Sequence, residues 1–467
     1  MSNIAHIFRE YDIRGIAGSE LSTDRVADLG LAFATHVRQE AGGQPADPLV
    51  ICTGRDGRNS SPTLAAALAD GLARGGAEVI ECGLVPTPAL YFANYHFAAA
   101  GAIMLTGSHN PPEYNGLKMV RHNQSVYGAE IQALRRRLEA GVTPAGQPGT
   151  IRQEPILARY LARILADFKP GRAIRVVLDC GNGATGVVAP ELLARLPGVT
   201  GEVLFAEVDG NFPNHHPDPT VPKNLLHLQR RMQETGAELG IAFDGDGDRI
   251  GALDEAGRVV WGDRLMILFA RDILPQRPGA TIIGDVKCSQ LLFDAVAQAG
   301  GTPLMWKTGH SLVKTKMRET GAPLAGEMSG HLFFADRYLG YDDALYAAVR
   351  LIELVASGPE PLSQRLHGLP DCFATPELRL ECPDDRKFQV MERVVREQER
   401  LGGDFSAVDG VRVRTAQGWW LLRVSNTQPA LVARVEANSR VHLQQLVEAL
   451  ATVLAKEGIA MPDWQEA

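Results

Sequence analysis

The strongest constraint on the fold is one supersecondary pattern that occurs three times along the chain. An apolar strand runs into a glycine-rich polar turn, an amphipathic helix follows, and a second strand closes the unit. The three turns are GRDGRNS (54–60), CGNGATG (180–186) and DVKCS (285–289). A strand, a helix and a strand at this spacing form a right-handed βαβ crossover. Because the strands are almost continuously apolar, we expect sheets covered on both faces, in three related α/β domains.

The pattern changes after Leu369, where the strands become short and follow one another closely. The predicted elements are strands at 377–381, 411–415, 419–424 and 431–436 and helices at 385–401 and 439–456. Short connections between successive strands indicate antiparallel pairing. We therefore predict a C-terminal α+β domain.

The domain boundaries follow from composition and from length. A chain of 467 residues is too long for a single core. Two connections are rich in Gly and Pro, 141–150 and 356–362, and a hairpin-like turn at 254–257 marks a softer boundary. The predicted domains are residues 1–148, 149–254, 255–367 and 368–467.

Charge and cysteine usage exclude several classes of partner. The formal net charge is −8 and no long basic run is present, so we expect neither nucleic acid nor a membrane surface as a partner. The six cysteines are scattered without a CxxC pair, which is typical of reduced thiols in the cytoplasm. With no apolar segment of signal-peptide or membrane-spanning length, a soluble cytoplasmic protein is expected.

The segment GAIMLTGSHNPPEYNGLK (101–118) contains the first chemical signal. Its apolar strand stops at Thr106-Gly107, and Ser108 follows at the carboxyl end, where open α/β sheets bind ligands. A serine in this place suits a nucleophile or a phosphoryl carrier, and Lys118 is a cation that could contact phosphate oxygens. The alternative is a polar turn in which Ser108 caps a helix.

The segment FDGDGDR (243–249) places Asp244, Asp246 and Asp248 two residues apart with glycines between them. Such a loop can curl its carboxylates around one hard cation, and an all-oxygen set favours Mg²⁺. A phosphate on Ser108 could complete the coordination, with Arg249 directed to that phosphate or to the sugar.

Two alternatives exist for this acidic loop. In an EF-hand, Glu255 would take the twelfth position counted from Asp244. However, Arg249 occupies the sixth position, where that loop requires glycine, and 250–253 resembles a strand. The other alternative is an acidic turn that binds no metal.

The segment GEMSGH (326–331) lies before a predicted strand. Glu327 and Ser329 alternate with small or flexible neighbours, as suits recognition of two sugar hydroxyls. His331 could transfer protons at neutral pH. An ordinary hairpin turn is the alternative.

The segment RVSNTQP (423–429) lies between two strands of the last domain. Arg423 with Ser425, Asn426, Thr427 and the loop amides would form a phosphate cradle; a hairpin loop without a ligand is the alternative. Four weaker candidates could equally be surface or helix-start residues: Tyr11, Arg14, Lys287 and His310.

In this order, the four motifs resemble those of the α-D-phosphohexomutase superfamily, across essentially the whole chain. The segment GEMSGH and the segment YDIRG (11–15) near the start of the chain are most similar to those of the bacterial phosphomannomutase/phosphoglucomutase branch. The resemblance implies an α/β fold: three related domains with mixed sheets sandwiched by helices, and a C-terminal α+β domain, around a central active-site cleft. One departure is Gln428, where many members have glutamate.

Carried onto this chain, the resemblance implies a role for each motif. Ser108 is the phosphorylated serine and shares one Mg²⁺ with the three aspartates. Glu327 and Ser329 bind the sugar O3 and O4, and the Arg423 loop holds the phosphate that does not react. The implied catalytic residues are Ser108, Lys118, Arg249 and His331. The other implied substrate-binding residues are Tyr11, Arg14, Lys287, His310, Met328, Gly330, Ser425, Asn426 and Thr427.

The implied activity interconverts hexose 1-phosphate and 6-phosphate, of mannose or glucose, through a 1,6-bisphosphate that is both intermediate and activator. His331 or Lys118 would handle the proton, and a monomer or weak dimer is expected. The alternatives are a phosphoglucosamine mutase, a non-catalytic sugar-phosphate sensor and a metal-dependent phosphatase.

Overall fold

A computed structural model describes residues 4–40, 48–426 and 428–464. Within these residues the chain forms four β-sheets, each built from a separate stretch of sequence. The first three sheets are mixed and are packed with helices, whereas the fourth is antiparallel. The predicted fold class is confirmed.

The first sheet contains the segment with Ser108. Its strands are β1 (Ile13–Ile16), β2 (Val50–Arg55), β3 (Glu78–Leu84), β4 (Gly101–Leu105), β5 (Tyr114–Arg121), β6 (Gln124–Ser125) and β7 (Ile151–Gln153). Its helices are α1 (Thr23–Glu40), α2 (Ser61–Arg74), α3 (Thr87–His96) and α4 (Ala129–Ala140). The order is β1-β5-β4-β2-β3-β7, with β6 paired to β5.

The second sheet contains the acidic loop. Its elements are α5 (Leu157–Leu165), β8 (Ile174–Asp179), α6 (Ala189–Arg195), β9 (Val199–Leu204), α7 (Leu226–Thr235), β10 (Leu239–Phe243), β11 (Ile250–Leu253) and β12 (Val259–Val260). The order is β12-β11-β10-β8-β9.

The third sheet repeats this arrangement. Its elements are α8 (Gly262–Ile273), β13 (Thr281–Asp285), α9 (Gln290–Gln298), β14 (Thr302–Trp306), α10 (His310–Thr320), β15 (Leu324–Gly326), β16 (Leu332–Phe334) and α11 (Ala344–Ala356). The order is β14-β13-β15-β16.

Three sheets therefore share one plan. In each, three parallel strands are followed by an antiparallel strand on one side: β3-β2-β4-β5, β9-β8-β10-β11 and β14-β13-β15-β16. The third parallel strand always leads directly into the antiparallel one. This common topology is the structural counterpart of the sequence repeat.

The fourth sheet is antiparallel and lies against two long helices. Its elements are α12 (Leu362–Arg365), which precedes the sheet, β17 (Phe373–Ala374), β18 (Leu378–Glu381), α13 (Asp384–Leu401), β19 (Phe405–Ser406), β20 (Val411–Arg414), β21 (Gly418–Val424), β22 (Ala430–Ala437) and α14 (Arg440–Lys456). The Ser439 side chain accepts a hydrogen bond from the amide of His442, which makes Ser439 the N-cap of α14.

The apolar core joins the first three units. One continuous cluster of buried side chains includes Ala102 of the first sheet, Val176 of the second and Leu324 of the third. The fourth unit has its own cluster, and Trp419 and Leu421 connect it to Val286 of the third unit. The loops at the sheet edges are thereby held in fixed relative positions.

Two sheets extend past the predicted domain boundaries. Strand β7 pairs with β3 although it lies beyond the predicted boundary at residue 148, and β12 pairs with β11 although it lies beyond the predicted boundary at residue 254. Both strands are two or three residues long, so neither carries a periodic apolar signal. We propose domain boundaries that follow β7 and β12.

One local expectation was wrong: Lys118, expected in the loop that follows Ser108, lies inside β5. The helix expected at 187–196 is observed as α6, which follows a 3₁₀ turn (Ala184–Val187) and has Pro190 in its first turn. Among the described residues, no helix has both the length and the apolar composition needed to cross a bilayer.

Asp343 at the start of α11 generates a prediction about stability. Its buried carboxylate accepts hydrogen bonds from the amide of Tyr346 (2.9 Å) and from the hydroxyls of Tyr160 (2.8 Å) and Tyr338 (2.9 Å). Burial raises the pKa of Asp343 to about 6 and outweighs these hydrogen bonds, which lower it. The folded state therefore binds the proton more tightly than the unfolded state. The resulting stability is complete below about pH 4 and is lost as the pH rises through 6.

We expect Asp343→Asn, a neutral isostere, to remove this dependence. Between pH 4.5 and 7.5 the wild-type protein should lose about 2 kcal/mol relative to the variant, measured by urea unfolding at both pH values. Asp294→Asn, on the exposed face of α9, is the control that should follow the wild type. An equal wild-type-to-variant difference at both pH values would contradict the prediction.

Candidate active site

Three of the predicted motifs occupy the same position in three sheets. The loop with Ser108 joins β4 to β5, residues 244–249 join β10 to β11, and residues 327–331 join β15 to β16. Each loop thus connects the last parallel strand to the antiparallel strand. Contacts between these loops bring the motifs together.

Ser108 is held in a strained conformation with its hydroxyl against the acidic loop. Its φ is 49°, which costs a residue other than glycine about 1–3 kcal/mol. Its amide donates to Thr106 Oγ1 (2.8 Å) and its Oγ donates to Asp244 Oδ2 (2.9 Å). Ser108 is 2 % exposed. No helix follows it before β5, so the helix-cap alternative is wrong.

The three aspartates form a compact buried cluster. One oxygen from each of Asp244, Asp246 and Asp248 lies within 4.8 Å of the others. Asp244 Oδ1 accepts the amides of Gly247, Asp248 and Arg249 at 2.9–3.2 Å, which curls the loop. Asp246 Oδ1 is buried and has no hydrogen-bond partner among the described residues. A buried all-oxygen set with an unpartnered oxygen fits a divalent cation.

Lys118 supplies positive charge to this cluster. Its Nζ donates to Asp246 Oδ2 (2.7 Å) and to Asp248 Oδ2. Burial alone would lower the pKa of Lys118, but the three carboxylates raise it above its ordinary value. Burial, Asp248 and Asp246 raise the pKa of Asp244, whereas Lys118 lowers that of Asp248 against the effect of its burial.

The EF-hand alternative is wrong. Residues 250–253 form β11, which leads the chain away from the cluster. Glu255 instead accepts a hydrogen bond from the amide of Ser363 (3.3 Å).

Glu327 and His331 connect the third loop to the acidic loop. His331 Nδ1 lies 2.5 Å from Glu327 Oε2, and its Nε2 lies 3.2 Å from Arg249 Nε and 3.3 Å from Asp248 Oδ1. Burial would lower the pKa of His331, but Asp248 and Glu327 raise it to about 9. Burial would raise the pKa of Glu327, but His331 lowers that pKa to about 2. Ser329 Oγ donates to the same carboxylate at 3.3 Å.

The remaining residues of this loop are fixed by backbone contacts. The amide of Met328 donates to Asp285 Oδ1 (3.2 Å). Gly330 has a φ of 91°, and a Cβ there would lie 2.2 Å from the carbonyl oxygen of Ile250, so only glycine fits. His310 lies beside the loop, with its ring centroid 5.6 Å from that of His331.

The fourth motif reaches the site through contacts with the first and third units. Arg423 Nε donates to Asp409 Oδ2 (2.9 Å), which also accepts the amide of Thr308 (3.0 Å). Asn426 Nδ2 donates to the Tyr11 hydroxyl, and that hydroxyl donates to the carbonyl of Thr308 (2.8 Å). Tyr11 is thus brought to the Arg423 loop.

Three further residues predicted for the site form hydrogen bonds within the protein. Ser425 Oγ accepts the amide of Gln428 (3.2 Å) within the loop. Lys287 Nζ donates to Glu377 Oε2 of the fourth unit (3.0 Å), and Arg14 donates to Asn110 Oδ1 (2.6 Å) beside Ser108. Thr427 lies outside the described residues.

The site has two parts that meet at Glu327. One part is the Ser108 hydroxyl, the carboxylate cluster and the cations Lys118 and Arg249. The other contains Tyr11, Lys287 and Arg423, and the charges of Glu327 and Lys287 influence one another. A buried hydroxyl beside a carboxylate cluster that can hold a cation, with a separate group of cations farther along, can hold a ligand that carries phosphate.

Three groups that support the site were missed in the sequence. Thr87 Oγ1 donates to Asp246 Oδ2 (2.5 Å), Asp409 holds Arg423, and Arg58 lies beneath the Ser108 loop. Of the three, only Arg58 could have been suspected from the sequence. Its turn GRDGRNS follows β2, and the carboxyl end of β2 lies on the same edge of the sheet as Ser108.

Comparison with family models covers most of the chain. Residues 5–143, 158–257 and 261–373 match the alpha/beta/alpha domains I, II and III of phosphoglucomutase/phosphomannomutase. Residues 377–453 match the C-terminal domain of the same family.

Individual proteins show the same similarity over the full length. A phosphomannomutase/phosphoglucomutase of Pseudomonas putida is 45 % identical over 450 residues, 96 % of each chain. A phosphoglucomutase of Neisseria gonorrhoeae is 40 % identical over 96 % of each chain. The crystal structure of a phosphoglucomutase/phosphomannomutase family protein of Burkholderia thailandensis has a TM-score of 0.90 and 43 % identity, covering 98 % of this chain and 99 % of the other.

The acidic cluster predicts a measurable cation affinity. We expect Asp246→Asn to weaken Mn²⁺ binding by at least about 10-fold, because it removes one charged oxygen donor from the set. Free Mn²⁺ can be measured by electron paramagnetic resonance. Asp254→Asn is the control, since this carboxylate lies in the turn after β11, where it accepts the amides of Ala256 and Arg258 and pairs with the Arg258 side chain. Equal affinity in Asp246→Asn and the wild type would refute the assignment.

Proposed function

The chain belongs to the phosphoglucomutase/phosphomannomutase family and is a phosphohexomutase, and we propose that it interconverts the 1- and 6-phosphates of mannose and glucose with Ser108 as the phosphoryl carrier. Full-length relatives with 40–45 % identity support the activity. The observation that carries the residue assignment is the 2.9 Å hydrogen bond from Ser108 Oγ to the carboxylate cluster. The relatives' names favour neither a phosphoglucosamine mutase nor a sensor.

The reaction consists of two phosphoryl transfers through one serine. Phosphoserine 108 gives its phosphoryl group to the free hydroxyl of a hexose monophosphate: the new O–P bond forms as the Ser108 Oγ–P bond breaks, and the product is a 1,6-bisphosphate. The bisphosphate then turns end for end. Its other phosphate transfers back to Ser108 Oγ and releases the isomeric monophosphate.

We assign Asp244, Asp246 and Asp248 as the residues that would hold Mg²⁺. When bound, Mg²⁺ supplies charge neutralisation for the phosphoryl group in transit. Lys118 and Arg249 supply further positive charge from the protein. Lys118 Nζ donates hydrogen bonds to two of the three carboxylates. Arg249, at the end of the acidic loop, has its Nε 3.2 Å from His331 Nε2.

The proton of the attacking hydroxyl must reach the oxygen that leaves. We propose that His331 carries it, because its pKa of about 9 is nearer to neutrality than that of Lys118, so the deprotonated form that can accept the proton is more populated for His331 than for Lys118. Ser108 Oγ also lies 3.2 Å from His109 Nδ1. Burial and Arg249 lower the pKa of His109, so this imidazole is neutral and can accept a proton.

We propose that the phosphate that does not react is held by Arg423 with Ser425, Asn426, Thr427, Tyr11 and Lys287. Because this group is fixed, both orientations of the bisphosphate use it. Glu327 and Ser329 would contact O3 and O4, which lie near the middle of the sugar and stay within reach after the turn. Arg14, His310, Met328 and Gly330 complete the proposed binding surface.

The setting of the reaction is also part of the proposal. We propose a cytoplasmic monomer or weak dimer that acts on soluble hexose phosphates and on neither nucleic acid nor membranes. The net charge of −8 and the six free cysteines support it.

Replacement of the carrier tests the assignment directly. We expect Ser108→Ala to lose mutase turnover by at least about 1,000-fold, because no other group stores the phosphoryl group, while glucose 6-phosphate still binds. A coupled assay measures turnover and calorimetry measures binding. Ser19→Ala, on the surface, is the control. A Ser108→Ala protein with activity near that of the wild type would rule out the carrier role.

Replacement of Arg423 tests the shared phosphate site. We expect Arg423→Ala to raise KM by about 10–100-fold for both the 1- and the 6-phosphate, because a charge-assisted hydrogen bond to a buried anion is lost. Arg414→Ala, an exposed arginine of the same sheet that pairs with Asp404, should leave KM unchanged. An increase confined to one isomer would contradict a single site used in both orientations.

A further inference from the structure

Arg58 lies beneath the Ser108 loop and is 1 % exposed. Its Nη1 donates to the carbonyls of Pro111 (2.5 Å) and Tyr114 (3.0 Å), and its Nη2 donates to those of Ser108 (2.7 Å) and Asn110 (2.6 Å). Four carbonyls of one loop therefore converge on a single guanidinium group.

The remaining donor of Arg58 binds Asp56, and Asp56 holds the start of the same loop. Arg58 Nε donates to Asp56 Oδ2 (3.1 Å), and this oxygen also accepts Thr106 Oγ1 (2.8 Å) and the amide of Gly107 (3.1 Å). A guanidinium has five N–H donors, and all five are now used within the protein. Arg58 therefore has no donor left for a substrate.

The loop is shaped to this guanidinium group. A Cβ on Gly107 would lie 2.4 Å from Arg58 Cζ, so the backbone approaches the cation as closely as glycine allows. A planar fork with fixed donor directions fits four carbonyls, whereas the ammonium of lysine provides three donors at one point. The contact is thus specific for arginine.

The same turn also contacts the second unit, which contains Asp244. The Arg58 guanidinium lies 5.3 Å from the ring centroid of Phe212. Asn59 Nδ2 donates to Asn211 Oδ1 (2.9 Å), and a Cβ on Gly210 would lie 2.7 Å from Arg58 Cα. Arg58 therefore touches both the serine loop and the unit that carries the carboxylates.

We propose that Arg58, together with Asp56, is a positioning residue that holds Ser108 at the distance and angle needed for transfer. The inference rests on the proposed function. Without the Arg58 guanidinium group, the four carbonyls lose their common hydrogen-bond donor, and the backbone of Ser108 can leave its left-handed conformation. The Ser108 Oγ would then leave its place beside Asp244, while the Arg423 group would stay intact.

The test compares Arg58→Gln and Arg58→Lys with the wild type and with Arg55→Gln. Arg55 belongs to the same turn region, but its hydrogen bond is to the carbonyl of Asp56 (3.3 Å). We measure kcat and KM for glucose 1-phosphate, the rate of phosphorylation by glucose 1,6-bisphosphate through intact mass, and Tm as a check of folding.

We expect Arg58→Gln to lower kcat and the phosphorylation rate by about 100-fold, as misplacement of a reacting group does. KM should stay within about 3-fold, because the Arg423 group is unchanged. Arg58→Lys should be intermediate, and Arg55→Gln should behave as the wild type. A merely structural role would lower Tm without separating kcat from KM.

Three results would overturn the proposal: kcat within about 3-fold of the wild type in both Arg58 variants, an equal loss in Arg55→Gln, or a KM that rises as much as kcat falls. If Arg58→Gln does not fold, Arg58→Lys decides by the same criteria. A wild-type protein that does not turn over would refute the proposed function itself, which separates the two failures.

Discussion

The hydrogen bond from Ser108 Oγ to Asp244 Oδ2 is the contact on which the rest of the site depends. It joins loops from two sheets and places a hydroxyl beside three buried carboxylates. Burial of like charges is unfavourable unless cations and amides compensate. Lys118 and the three amides that bind Asp244 Oδ1 provide that compensation. An arrangement with this energetic cost is explained by phosphoryl chemistry and cation binding better than by stability.

The repeated topology explains how a chain of this length assembles one site. Each α/β unit places one loop of the site between the last parallel strand and the antiparallel strand, so three copies of one fold provide the Ser108 loop, the acidic loop and the loop with Glu327 and His331. The fourth unit differs in topology and reaches the others through Asp409, which binds both Arg423 and Thr308.

Local patterns predicted the three βαβ units, the two long C-terminal helices and the four motifs, because apolar periodicity, glycine turns and spaced carboxylates are contained in short stretches. The sequence could not place β7 and β12 in their sheets, since strands of two or three residues are defined by their partners. The roles of Arg58, Thr87 and Asp409 depend on contacts with residues distant in the chain, such as Tyr114, Asp246 and Thr308. No residue type or spacing within the turns specifies those partners.

The central claim is that one serine stores the phosphoryl group and exchanges it with sugar hydroxyls. A pulse-chase experiment tests it most directly. The wild-type protein is first labelled with ³²P-glucose 1,6-bisphosphate. One sample is quenched at once for peptide mapping, and a second is chased with unlabelled glucose 1-phosphate before it is quenched. The account predicts label on the peptide that contains Ser108 and its transfer into sugar phosphate during the chase. Label on another peptide, or its release as inorganic phosphate in the chase, would contradict the account.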